Sequence, residues 1–296
     1  MMKRFLTLIA AALLILGCSV KPAGQRLVII GLDGLGSAYM DTLKIPVIRG
    51  LMAEGSYTLH KRSVLPSASA INWASIFNGL PTEIHGFTRW NTETPDIPAP
   101  FVQENGLPVT LFTLCRRANP GAKIGAIYEW NGVKYTLDTL AFNDRLCTVE
   151  DVIDPAFTTE KVVSYLKEEK PDVFYVHYDC PDHTGHKIGW GTPEYAAKVE
   201  EMDGYVGEII QALKDAGTYD NTLIVVVSDH GGKVKSHGKA TVEEMEAPFV
   251  VAGPGVKKGY EIQEFMLQYD VAPTLAKVLG LQIPDYWRGR PMPVSE

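Results

Sequence analysis

Asp33, Ser69, Asp182, His186, Asp229, His230 and His237 carry carboxylates, imidazoles and one hydroxyl, the groups that hold metal cations and present a nucleophile beside them. Their types and local spacings suit two neighbouring metal sites built around one nucleophile. The chemistry that such a constellation performs is hydrolysis of a phosphate ester. Asp33 follows the apolar run Leu27 to Leu32 and precedes Gly34, so a carboxylate emerges where a buried strand ends. Asp229 and His230 do the same after Leu223 to Val227. In open α/β sheets ligands bind outside the carboxyl ends of the strands, which gathers residues that are distant in sequence.

Asp182 and His186 stand four residues apart just after another apolar run, and on a turn or first helical turn both can face one cation. In Ser228-Asp229-His230-Gly231-Gly232 the acid and the imidazole are adjacent, and two glycines let the backbone turn sharply. His237 soon follows. Taken alone it reads as a solvated loop histidine rather than a ligand. Pro66 breaks the strand before Ser69, so Ser69 falls near a helix N-terminus, where open amides and the helix dipole favour an oxyanion and a phosphate. A plain N-cap role for Ser69 or Ser67 is the competing reading. Asn72 can turn its amide toward a phosphoryl oxygen or face solvent.

The elements that must position these groups alternate. Strands are expected at 27–32, 57–64, 123–128, 173–176, 223–227 and 248–252, with helices at 37–53, 69–77, 109–118, 158–169, 192–216 and 271–279. The proline-rich stretch 91–108 reads as an irregular loop near the site. This order implies a mostly parallel central sheet covered by helices on both faces, a three-layer α/β sandwich.

Residues 1–17, with Lys3 and Arg4 before the apolar run Phe5 to Leu16, read as an export signal too short to span a membrane. Leu14-Ile15-Leu16-Gly17-Cys18 resembles the bacterial lipoprotein processing site. Cleavage there would leave a lipidated Cys18, an 18–26 linker and one domain over 27–296, with small cap elements within 91–150. The expected location is the bacterial cell envelope, anchored through the lipid, on the periplasmic or outer face. The 46% hydrophobic content is that of a globular domain, and a formal charge of −7 gives no basic excess to favour a nucleic-acid scaffold. Affinity for phosphate must therefore come from local cations, which metals supply. Cys115 and Cys147 can pair in an oxidising compartment, whereas Cys180 lies within the metal segment.

Several segments, in order, carry a specific likeness. Asp33-Gly34 with Tyr39, Pro66 to Asn72, Gly79-Leu80-Pro81 through His85-Gly86, Tyr128-Glu129-Trp130, Pro181-Asp182 with Gly185-His186, Ser228 to Gly231, and His237-Gly238 resemble the alkaline phosphatase superfamily. The likeness is greatest to its type I phosphodiesterase and nucleotide pyrophosphatase branch. It implies an alkaline-phosphatase-like fold, one zinc on Asp182, His186 and His237, a second on Asp33, Asp229 and His230, and Ser69 between them as a nucleophile that becomes phosphoseryl. Three imidazoles beside three carboxylates suit zinc, with manganese as the substitute. Serine stands at Ser69 where the branch more often has threonine, and Trp73 where it has histidine. The sulfatase branch needs proline and arginine two and four residues after its nucleophile, and Ile71 and Trp73 occupy those positions.

Arg89, Trp90 and Trp130, with Asn91 nearby, are the candidates for binding the remainder of a small-molecule phosphate ester, since indoles stack on rings and arginine pairs with phosphate. Core packing is the alternative for both tryptophans. A phosphomonoesterase and a non-catalytic metal-binding lipoprotein are the competing functions. The first calls for a further cation beyond the metals, and the second would tolerate loss of Ser69.

Overall fold

The branched, apolar run at the start of the domain forms strand β1 (Arg26–Leu32), which lies at the centre of the sheet and is buried along nearly its whole length. The computed structural model describes residues 24–149 and 152–296, so the expected signal segment and Cys18 lie outside the described residues. In chain order follow α1 (Pro46–Glu54), β2 (Gly55–Arg62), α2 (Ser69–Asn78), α3 (Thr82–His85), α4 (Leu111–Ala118), β3 (Ile124–Tyr128) and β4 (Asp144–Cys147). Then come α5 (Pro155–Glu169), β5 (Val173–Tyr178), α6 (Asp182–Lys187), α7 (Pro193–Asp215), β6 (Thr222–Val227), α8 (Val242–Met245), β7 (Glu246–Ala252), β8 (Tyr260–Glu261) and α9 (Val271–Val278).

Among the described residues the sheet has eight strands in the order β4-β3-β5-β1-β6-β7-β2-β8. Only β7 runs against the others, pairing antiparallel with both β6 and β2. Side chains alternate across each strand. Leu27 and Ile29 of β1, Val173 and Tyr175 of β5, and Leu223, Val225 and Val227 of β6 pack with α2, α4 and α9 on one face. Val28, Ile30 and Leu32, Phe174 and Val176, and Ile224 and Val226 pack with α1, α5 and α7 on the other. The result is the expected three-layer α/β sandwich. None of the described helices is long and apolar enough to cross a membrane.

The helix expected at 37–53 is interrupted. Ser37–Tyr39 make one 3-10 turn, and α1 begins only at Pro46, because proline has no amide to donate into a preceding turn but suits the first position of a new one. The strand expected at 57–64 runs from 55 to 62. β4 was not expected; it is a mostly exposed edge strand without alternating apolar residues. Residues 111–147 extend the main sheet with α4, β3 and β4. Cys147 has a free thiol, so the pair with Cys115 does not form; Cys115 lies on the buried face of α4, and Cys147 at the end of the edge strand.

The N-cap of α1, Ile45, has no side-chain acceptor. Asp203, buried in the middle of α7, supplies one from across the interface: its carboxylate accepts the Val47 and Ile48 amides at 3.0 and 2.8 Å. Asp203→Ala therefore leaves two helix-start amides unmet in a buried setting. It is expected to cost about 1–3 kcal/mol and lower the thermal midpoint, with Asp203→Asn losing less. A scanning calorimetry comparison of the two variants checks this; equal midpoints for wild type and Asp203→Ala would contradict it.

Candidate active site

Three adjacent strands end at the same sheet edge and deliver the carboxylates. Asp33 follows β1, Asp182 opens α6 four residues beyond β5, and Asp229 lies two residues beyond β6. The chain turns sharply after Asp33 because Gly34 adopts φ +68, and a Cβ there would sit 2.7 Å from that of Asp182. The Asp182 amide donates to the Asp33 carbonyl at 2.9 Å, and the Gly34 amide to Asp229 Oδ1 at 3.2 Å. The three acids are thereby tied together through backbone.

The three imidazoles share one arrangement. Nδ1–H of His186 donates to the Lys235 carbonyl at 3.1 Å, that of His230 to the Gly231 carbonyl at 2.8 Å, and that of His237 to the Ser67 carbonyl at 2.8 Å. Each ring therefore turns an Nε2 lone pair inward. His230 Nε2 lies 3.3 Å from Asp229 Oδ2 and 3.5 Å from Asp33 Oδ1; His186 Nε2 lies 3.4 Å from Asp182 Oδ2, and His237 Nε2 lies 3.7 Å from Asp182 Oδ1. A lone pair facing carboxylate oxygens is repulsive unless a cation lies between them.

Two compact groups result, Asp182–His186–His237 and Asp33–Asp182–His230, with the donor atoms of each within 4.8 Å of one another. Asp182 thus stands between the two groups, and Asp229 closes the second from the side of His230. Asp33 Oδ1, Asp182 Oδ1 and Asp229 Oδ2 are buried and lack a hydrogen-bond partner. Buried acceptors are ordinarily satisfied, so these oxygens and lone pairs fit a pair of metal ions. All six expected ligands are brought together.

Electrostatics point the same way. Burial, followed by the charge of Asp33, pushes Asp182 and Asp229 well above the usual carboxylate range. Burial would raise Asp33 as well, but the hydrogen bonds from His177 and Trp73 oppose it, and Asp33 stays low, at about 2. Burial brings His230 down to about 3 and lowers His237, leaving both imidazoles neutral and ready to ligate.

Ser69 is the first residue of α2, and its hydroxyl donates to His230 Nε2 at 3.2 Å. Ala68, the N-cap, offers no side-chain acceptor, so the amides of the first turn are not capped by a side chain. Ser67 is not equivalent: its hydroxyl donates to the Lys239 carbonyl and accepts the Gly238 amide, anchoring the His237 loop. Asn72, expected to be able to reach a phosphoryl oxygen, is turned the other way. Its Oδ1 accepts the Val64 amide at 2.8 Å, and its Nδ2 donates toward Ala68, Pro66 and Val64 carbonyls at 3.0–3.4 Å. It holds the loop that aims Ser69.

Two supporting residues escaped the sequence reading. Trp73 Nε1–H and His177 Nε2–H each donate to Asp33 Oδ2 at 3.0 Å, and both side chains are fully buried. Trp73 reaches Asp33 because Gly31 lacks a Cβ, which would lie 2.6 Å from the indole. The signal in the sequence was a histidine on the inward-facing register of an otherwise apolar strand. Behind Asp229, the fully buried Lys61 donates to the Ser228 carbonyl at 2.8 Å and to Gln268, whose amide holds the Asp229 carbonyl at 2.7 Å.

The centre opens into a cleft of about 650 Å³ whose lining includes Ser69, Arg89, Trp90, Trp130, Asp179 and His183. Trp90 and Trp130 lie nearly parallel, 23° between planes and 6.4 Å between centroids. Arg89 is held by Asp96, with Nε 3.1 Å from the carboxylate. Asp179 is raised to about 6 by burial and the nearby charge of Asp33.

Residues 27–260 match the family described as type I phosphodiesterase / nucleotide pyrophosphatase. Human ectonucleotide pyrophosphatase/phosphodiesterase family member 1 is 25% identical over 222 residues, covering 69% of this chain and 23% of that one. A GPI ethanolamine phosphate transferase 2 from Aspergillus oryzae is 32% identical over 140 residues, 43% of this chain and 16% of that protein. The chain thus spans a quarter or less of the length of these relatives. Among solved structures, murine ectonucleotide pyrophosphatase / phosphodiesterase 5, inactive and in complex with AMP, superposes with a TM-score of 0.71 at 16% identity, covering 88% of this chain and 96% of that one.

Trp73→Phe keeps an aromatic ring in the core but removes one of the two donors to Asp33 Oδ2. Zinc affinity, read by competition with a chromophoric chelator, is expected to fall roughly ten- to a hundredfold; an unchanged affinity would reduce Trp73 to packing. Because Asp182 and Asp229 hold their protons to unusually high pH in the metal-free protein, cation binding must release protons, and affinity must rise with pH. Calorimetric titration in two buffers of different ionisation heat is expected to give different apparent enthalpies. Identical enthalpies would contradict this assignment of charge.

Proposed function

Since the chain belongs to the type I phosphodiesterase / nucleotide pyrophosphatase family, we propose that it hydrolyses small-molecule phosphodiesters through Ser69, with two zinc ions or manganese in their place. The observation that carries this reading is the Ser69 hydroxyl, 3.2 Å from an inward imidazole nitrogen and beside buried carboxylate oxygens that lack donors. When bound, the metals supply Lewis acidity that favours the serine oxyanion and offsets charge at phosphorus.

The residues account for the remaining steps. Ser69 loses its proton to solvent and its Oγ attacks phosphorus from the start of α2. The Oγ–phosphorus bond forms as the bond to one alcohol oxygen breaks, and that alcohol leaves with a proton from water. Water then displaces Oγ from the phosphoseryl group and restores the serine. Asn72 keeps the loop before α2 in place through its four backbone contacts, and Trp73 and His177 keep Asp33 oriented.

Diesters are favoured over monoesters by the cations present. A monoester brings a second negative charge that calls for a further positive partner. Arg89 is the one arginine or lysine among the described residues lining the cleft, and Asp96 already occupies its guanidinium. Nucleotide esters are the substrate class to which the names of the relatives and the AMP complex point. We further propose export and lipid anchoring at Cys18, placing the cleft outside the cytoplasm at the bacterial cell envelope.

The test compares bis(p-nitrophenyl) phosphate with p-nitrophenyl phosphate, with zinc added and Ser69→Ala alongside. The diester is expected to be the better substrate, and the variant to lose turnover by roughly a thousandfold or more while still binding two metal equivalents. Preference for the monoester would move the protein to the phosphatases. Turnover that persists without Ser69 would remove the covalent step.

A further inference from the structure

The two candidate ligand groups meet solvent differently. The side chains of Asp33, Asp229 and His230 are buried, and those of Asp182 and His237 nearly so, whereas that of His186 is 47% exposed. His186 is therefore the member of the centre that water or a competing chelator reaches first.

A four-residue turn holds this ring. The Lys233 amide donates to the Ser236 carbonyl at 2.9 Å and the Ser236 amide to the Lys233 carbonyl at 3.1 Å, leaving Val234 and Lys235 at the corners. Val234 has φ +57, a left-handed conformation that glycine adopts freely and a β-branched residue only at a steric cost. Val234 is also 73% exposed, so packing of its side chain does not offset that cost. The compensation lies in the backbone. The Val234 carbonyl accepts the Trp190 amide at 2.8 Å, and the Lys235 carbonyl accepts Nδ1–H of His186 at 3.1 Å. Lys235 Nζ donates to the Lys187 carbonyl at the end of α6 at 2.9 Å. Trp190 is itself fixed, its indole donating to the Gly34 carbonyl at 2.9 Å and filling the space that Gly185 and Gly232 leave by lacking a Cβ.

Resting on the reading that these six residues hold two metals, we propose that the two are held unequally. The metal on Asp33, Asp229 and His230 stays with the protein, the metal on Asp182, His186 and His237 exchanges with the surroundings, and the Lys233–Ser236 turn is the strap that sets its release. For a cation to leave the outer group, one ligand must first swing away. Asp182 is tied through its amide to the Asp33 carbonyl, and His237 is anchored on the Ser67 carbonyl and stacked on His230 with 3.8 Å between centroids. His186 has solvent on one side and the Lys235 carbonyl on the other, so its ring is freed once the turn opens. Strain at Val234 favours that opening, and the contacts to Trp190 and His186 oppose it. Loss of the outer metal would then silence the site while leaving the buried half of the centre assembled.

The experiment loads the full chain with zinc, counts bound equivalents by elemental analysis, and follows release to an excess of a chromophoric chelator. Two phases of one equivalent each are expected, with rates roughly tenfold or more apart. His186→Ala is expected to retain a single equivalent that is released slowly. Val234→Gly relieves the strain and is expected to slow the fast phase severalfold. Val234→Pro, which fixes φ at about −65° and forbids the turn, is expected to speed it about tenfold. The slow phase, unchanged in rate and amplitude in both Val234 variants, reports that they are folded. Release of both equivalents in one phase, or a fast phase that the two Val234 substitutions leave unmoved or move in the same direction, would overturn the proposal. Fewer than two bound equivalents in wild type would instead overturn the two-metal reading on which it rests.

Discussion

Three carboxylates gathered in a water-poor recess are the constraint around which this protein is organised. Asp33, Asp182 and Asp229 each keep one buried oxygen without a donor, and neutral imidazole nitrogens face them. Like charges brought together away from water oppose folding by several kcal/mol unless cations or protons compensate. Without metal, raised proton affinity at Asp182 and Asp229 relieves the repulsion; on the proposed function, the same oxygens would serve as metal ligands. The centre is therefore held open by its surroundings rather than by its own contacts.

Those surroundings are rigid for identifiable reasons. The acids follow adjacent central strands whose side chains are buried on both faces, and glycine at 34 lets Asp182 approach the first turn. Each of the three inward-facing imidazoles is steadied by a backbone carbonyl through its outer nitrogen. Trp73 and His177 hold Asp33 from the core, while Lys61 and Gln268 hold the Ser228–Asp229 backbone from behind. Directional contacts of this kind limit reorganisation when charge develops at phosphorus, which is where preorganised sites gain their advantage.

The cleft is asymmetric. Its floor is a dense array of potential metal ligands, and its wall is aromatic and acidic with a neutralised arginine. On the proposed function the floor acts on phosphorus and the wall meets the rest of the ester, so the two tasks would fall to different elements: the carboxyl ends of β1, β5 and β6 for the first, and the segments after α3, β3 and β5 for the second.

Strands β1, β5 and β6 were legible because continuous apolar runs signal burial on both faces, and Asp33, Asp182, Asp229 and His230 because acids and imidazoles stand just beyond such runs. Ser69 was legible through Pro66 and the helix that follows. The break within 37–53 was obscured by apolar residues on both sides of Pro46, and β4 by the exposed, unpatterned residues of an edge. Asn72 has the chemistry of a phosphate ligand, yet its side chain faces four backbone groups of its own loop. His177 and Trp73 look like core residues and are also partners of Asp33. Residue type and spacing determined the layered α/β architecture and, together with the likeness to a known family, the donor set, since burial, periodicity and ligand chemistry are local properties. Tertiary structure decided which nitrogen of each histidine faces inward, that Asp182 stands between both ligand groups, and that Asp96 occupies Arg89, because these depend on distances of a few ångströms between side chains whose approach no local pattern encodes.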